Sequence, residues 1–98
     1  MIYPEEALRG KAVLSSDGVV IGEISRLFID PADWRVRSIE VRLRKESADR
    51  VGIHRSLFHA ATVEIPTQQI QSFEDALILS IPVGDLRPPA VMEETPTA

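Results

Sequence analysis

DGVVIGEISRLFIDPADWRVRSIEVRLR, residues 17–44, decides how the rest of the chain is read. Asp17-Gly18 is a short hairpin signal, because a two-residue type I′ turn needs positive φ at both central residues. After it, Val19, Ile21, Ile24, Leu27 and Ile29 begin on a period of two and then slip. The slip begins at Gly22. A glycine inside a strand marks a bulge or bend, and one extra residue there returns the later apolar residues to the inward face. A long strand bent in this way serves two sides of a small barrel. Asp30-Pro31-Ala32-Asp33 reads as the next turn, with proline suited to its second position. Beyond Arg37 the alternation is clean. Ile39, Val41 and Leu43 take one face, and Ser38, Glu40, Arg42 and Arg44 the other.

The remaining segments read as pieces that close over this pair. Residues 1–10 are a lead-in with Leu8 as the buried residue, and residues 11–15 are a short first strand. KESADRVG, residues 45–52, reads as one or two helical turns, with Ser47 as N-cap, Gly52 as stop, and Ala48 and Val51 inward. In IHRSLFHA, residues 53–60, Leu57 and Phe58 are adjacent and would face opposite sides of a strand. One of them is therefore exposed, covered by another segment, or in contact with another chain. Residues 62–66 form a strand with Val63 and Ile65 inward, and residues 67–73 a turn and partial strand burying Ile70 and Phe73. ALILSI, residues 76–81, is a continuous apolar run, which implies burial on both faces. Asp85-Leu86-Arg87 makes a closing turn. Residues 88–98, PPAVMEETPTA, have three prolines, two adjacent glutamates and no hydrophobic period, as a disordered tail does. The expected core is Ile21, Ile24, Leu27, Ile39, Val41, Leu43, Val63, Ile65, Leu77 and Leu79.

A chain of 98 residues makes one small domain. With 44% hydrophobic residues but only 5% aromatics, its core must be mostly Val, Ile and Leu, which favours strands. The absence of cysteine excludes disulfides and thiolate-bound metals. No apolar run approaches the roughly 18–20 residues that span a bilayer. The opening MIYPEEALRG is too acidic for a signal peptide or a basic anchor, so a cytoplasmic protein without direct membrane insertion is expected. The net charge of −4 argues against a general nucleic-acid binder. Residues 35–55 nevertheless hold seven basic and three acidic side chains, a local charge of +4 that leaves −8 elsewhere. Such a division suits pairing with copies of the chain or with an acidic partner; the plain alternative is a solvated face.

No catalytic, cofactor or metal site is recognisable. His54 and His59 are the only histidines and lack further ligands. The glycines fall at turns, a bend and a cap, and none builds a phosphate loop. Trp34 stands in the turn between the two central strands, either as a lid over one barrel end or as an anchor for a partner. The candidate interface residues are Ile53, Leu57, Phe58, Trp34, Arg42 and Arg44. A homodimer is expected, since a small aromatic-poor barrel buries only part of its apolar surface and two-fold pairing is the usual remedy. The insert after the third strand is a natural hinge for exchanging strands between the two chains.

Four stretches, LRGKAVLSSDGVVIGEI, LFIDPADWRVRSIEVRL, TVEIPTQQIQSFEDALILSI and the trailing DLR, resemble the PRC-barrel, the small domain of the photosynthetic reaction-centre H subunit and of RimM-type ribosome maturation factors. The resemblance implies an all-β, six-stranded barrel over residues 8–87 with a short helical insert between the third and fourth strands. The insert KESADRVGIHRSLFHA is similar to that of stand-alone, mostly archaeal, PRC-barrel proteins. Some of these are adaptors between the SepF-type membrane anchor of the FtsZ ring and other division proteins. The function so implied is a non-catalytic, homodimeric interaction adaptor in archaeal cell division, without cofactor, cytoplasmic and placed at the division site. The alternative is an RNA- or ribosome-associated factor of RimM type.

Overall fold

The alternation of Ile39, Val41 and Leu43 is the register on which the sheet is built. In the computed structural model, which describes residues 2–52 and 61–86, those three side chains are buried. They lie on strand β3 (Arg35–Leu43), which pairs antiparallel with β2 (Val20–Asp30) on one side and β4 (Thr62–Pro66) on the other. Strands β1 (Ala12–Leu14), β5 (Ile70–Phe73) and β6 (Leu77–Leu79) complete a six-stranded sheet of order β4-β3-β2-β1-β6-β5. Among the described residues only the β1–β6 pairing is parallel. Helix α1 (Glu5–Leu8) precedes β1, and α2 (Lys45–Val51) follows β3 as expected for the insert.

The six expected strands are present, but they form an open sheet rather than a closed barrel. No ladder joins β4 to β5 among the described residues. Pro66 removes a backbone donor at the end of β4. A 3-10 turn, Thr67–Gln69, then carries the chain away before pairing can continue, with the Thr67 hydroxyl donating to the Arg37 carbonyl at 3.3 Å.

The hairpin between β1 and β2 has one more loop residue than a type I′ turn. Gly18 has φ of 83°, but Asp17 does not enter the positive-φ region. The Gly18 N–H donates to the Ser15 carbonyl (3.0 Å) and the Ser15 N–H to the Val19 carbonyl (2.9 Å). This is a type I turn followed by a left-handed glycine. The buried Ser15 hydroxyl explains the longer loop, since it donates to the Asp17 carboxylate and accepts from the Val19 N–H at 3.2 Å. That hydroxyl holds the Asp17 carboxyl below the usual carboxylate range; desolvation opposes it, while the Val83 N–H and the Arg50 charge act in the same direction as the hydroxyl.

Two irregularities, not one, restore the inward face of β2. Against β1, Ile21 is the extra residue, since Val13 pairs with Gly22 and Leu14 with Val20. Against β3, Ser25 is extra, between the pairs Ile24–Val41 and Arg26–Glu40. The Ser25 hydroxyl holds this second bulge by bonding the Glu40 carbonyl (3.1 Å) and Oε1 (2.7 Å). Gly22 allows close passage of β3, because a Cβ there would lie 2.0 Å from the Arg42 carbonyl oxygen.

Ser47 is not the helix cap. The chain enters α2 directly from β3 through Arg44, whose N–H bonds the Ile21 carbonyl at 2.8 Å, and no side chain caps the helix. Ser47 is buried inside the helix beside Ala48. Gly52 ends it, its N–H donating to the Ala48 carbonyl.

Nine of the ten expected core residues are buried; Leu27 is only partly so, because it lies beyond the reach of β1. Val13, Ala48, Ala61, Val83 and Leu86 complete the core. On β6, Leu77 and Leu79 are buried and Ile78 half-buried, so only part of the expected two-sided burial is found. The lead-in crosses to β5, where Tyr3 meets Phe73 edge-on at 5.2 Å between ring centroids.

Leu79→Ala should destabilise the fold by about 2–4 kcal/mol in urea unfolding, as large-to-small core changes do. An unchanged midpoint would contradict the packing of β6. The Asp17 contribution has an acid signature. A carboxylate lowered on folding stabilises fully above its unfolded pKa and loses that contribution as pH falls through the folded one. The stability gap between the wild type and Asp17→Asn should therefore close on titration below about pH 4, the ordinary aspartate value. A gap independent of pH would remove the charged interaction.

Candidate interaction surface

The two central strands outrun their neighbours. The β1–β2 ladder ends at the pair Ala12–Glu23, and two backbone bonds extend contact only to Ile24: Gly10 N–H to its carbonyl (2.8 Å) and its N–H to Lys11 (3.0 Å). On the other side, β4 reaches only Ser38. Residues 29–37 are thus a two-stranded ribbon with no third strand beside it among the described residues.

Its turn is held by two carboxylates. Asp30 Oδ1 accepts from the Ala32 N–H (2.9 Å), and Asp33 Oδ1 from the Arg35 N–H (3.2 Å). Arg37 ties both acids together, at 2.6 Å to Asp33 and 3.5 Å to Asp30. Trp34 closes the turn at φ 57°, a left-handed conformation that costs an L-residue roughly 1–2 kcal/mol. Its side chain is 78% exposed. So exposed a ring is no lid, and among the described residues the turn projects past the flanking strands. Ile29, on the same ribbon, is 48% exposed.

Within the basic stretch of residues 35–55, Arg35, Arg37, Arg42 and Arg44 lie along or beside β3, and acids of β2 and of the turn break up this strip. Arg37 is held by Asp30 and Asp33, and Arg42 pairs with Glu23. Next along the outer face, Arg26 pairs with Glu40 at 3.1 Å, and Ser38 donates to Glu64 at 2.5 Å. Arg35 and Arg44 make no ion pair among the described residues, but they stand at opposite ends of β3. Trp34 is likewise far along the strand from Arg42 and Arg44, so the three expected interface residues that are described do not share one patch. Ile53, Leu57 and Phe58 lie outside the described residues, as do both histidines and the 88–98 tail.

Among the described residues no group of three or more His, Asp or Glu is placed to hold a metal. A shallow groove beside Gly22, bordered by Gly10, Val20, Glu23, Arg42 and Arg44, holds the one Glu–Arg pair already described. No helix among these residues is long and apolar enough to cross a membrane.

The profile of the PRC-barrel domain matches residues 6–86. The chain belongs to the PRC-barrel domain family. No curated protein matches it. The matched span contains all six strands of this PRC-barrel, the projecting hairpin included.

The sequence draws attention to Trp34 but not to the exposure of Ile29 or to the edge of β2 left unpaired among the described residues. The signal was there in the lengths: a strand of eleven residues beside one of three must extend past it. Since Trp34 sits in a glycine-like conformation and packs on little, Trp34→Gly should hold or raise stability, by up to about 1 kcal/mol. A lowered melting temperature would mean that the ring is part of the core after all.

Proposed function

We propose that this PRC-barrel is a non-catalytic protein–protein interaction adaptor whose partner docks on the tip of the β2–β3 hairpin. The observation that carries the reading is Trp34, held outward in a strained turn by Asp30, Asp33 and Arg37. Tryptophan dominates interface hot spots because it buries a large rigid surface. Arg35, next to it and free of an ion pair among the described residues, favours a partner with an acidic group beside an apolar pocket. Within the family's known settings, the insert after β3 favours a homodimer in archaeal FtsZ/SepF-based division, with a SepF-type membrane anchor as partner. The ribosome-associated alternative needs a phosphate-binding face, and the pairing of Arg37 and Arg42 with acids weighs against it.

Binding of the purified chain to a SepF-type anchor should weaken at least about 30-fold in Trp34→Ala, the effect of losing a hot spot of about 2 kcal/mol. Unchanged binding would move the site elsewhere. Micromolar RNA binding that falls steeply with salt and vanishes in Arg42→Glu would replace this reading with the ribosomal one.

A further inference from the structure

The free edge of β2 is a second exposed feature, distinct from the tip. Beyond Ile24 no strand follows β2 on its β1 side among the described residues, so residues 26–30 present an unpaired backbone edge. Unpaired edges are templates for further strands. This one is not blunted by proline, and although the ladder to β3 shifts register between Phe28 and Ile29, the extra residue is Arg37 on β3, so β2 itself runs without insertion from Arg26 to Asp30. Its side chains alternate regularly. Arg26, Phe28 and Asp30 face outward with Glu40 and Ser38 of β3, while Leu27 and Ile29 continue the inner face of Ile24.

We propose that a second copy of this chain adds to the edge, its β2 pairing antiparallel with the first across a two-fold axis at Phe28. The inference deepens the homodimer part of the adaptor reading by naming the interface. Charge complementarity in a single register favours a second copy. Centring on Phe28 sets Arg26 of each chain opposite Asp30 of the other, two opposite-charge pairs per interface, and Leu27 opposite Ile29. Centring on Leu27 or Ile29 pairs no opposite charges. A half-step register puts inward residues opposite outward ones, which alternation forbids. The Phe28 register also covers Ile29, which is 48% exposed, and Leu27, the expected core residue that is only partly buried. Its length is limited on each side, because Gly10 and Lys11 already occupy the edge at Ile24. Isologous contacts of this kind close at two copies.

The test exploits the symmetry. The wild type should sediment at micromolar concentration as twice 10.9 kDa. Arg26→Asp and Asp30→Arg should each be monomeric, because each sets like charges opposite. An equimolar mixture of the two should recover the dimer, since both cross-chain pairs are then restored. Loss of the internal bonds of Arg26 or Asp30 cannot produce that recovery. As a check that does not depend on charge, Phe28→Cys should oxidise to a covalent dimer, directly opposed antiparallel residues lying within disulfide reach. The natural chain has no cysteine, and Ser72→Cys on exposed β5 should stay uncrosslinked. A monomeric wild type overturns the proposal, whether the edge is covered by residues of the same chain or by another protein. So does a mixture that stays monomeric, or a dimer unaffected by either charge change. A monomer that still binds its anchor through Trp34 would leave the adaptor reading standing without this interface, and a dimer that binds no anchor would do the reverse.

Discussion

The close crossing of β2 and β3 at Gly22 is the contact on which the rest of the molecule depends. The Arg42 carbonyl passes where any side chain on residue 22 would stand. That approach lets β2 bend between two sets of neighbours. Its first half pairs with β1, and through β1 with β6 and β5; its second half runs on with β3 alone among the described residues. The bulges at Ile21 and Ser25 keep Ile21, Ile24 and Leu27 on one side of the sheet through the bend. Without them, alternation would turn half of the apolar residues to solvent.

The projecting hairpin follows from the same bend. An eleven-residue strand shared with a three-residue neighbour leaves a remainder, and here the remainder is a ribbon carrying Trp34, Ile29 and an edge unpaired among the described residues. Its charged residues act inside the chain first. Arg37 stabilises the turn, while Arg42 and Arg26 join β3 to β2 across the outer face. Exposed pairs of this kind contribute little to stability individually. Their effect is on the surface, where they break a basic strip into neutral pairs and leave the tryptophan as its most distinctive group.

Much of this was legible from residues alone, and the rest failed for identifiable reasons. Period-two runs such as Ile39-Val41-Leu43 and Val63-Ile65 report their own burial, because a sheet with one wet face admits no other arrangement. Asp17-Gly18 misled because turn length is decided by the Ser15 hydroxyl, not by the dipeptide. Ser47 misled because Arg44 connects β3 to α2 without a loop, leaving no place for a capping residue. Closure of the sheet is a property of distant edges, and Pro66 was the only local hint that β4 would stop short. Trp34 stands out in the sequence as the single tryptophan, placed in a turn, but its direction depends on where β1 and β4 end, which no pattern within residues 30–35 encodes.

Trp34 is the single tryptophan of the chain, so its fluorescence reports one position. With the protein diluted to the monomer, Trp34 should emit at the wavelength of free tryptophan in water and be fully accessible to acrylamide. Blue-shifted emission shielded from the quencher would place the ring inside the fold and contradict an outward-facing hairpin tip.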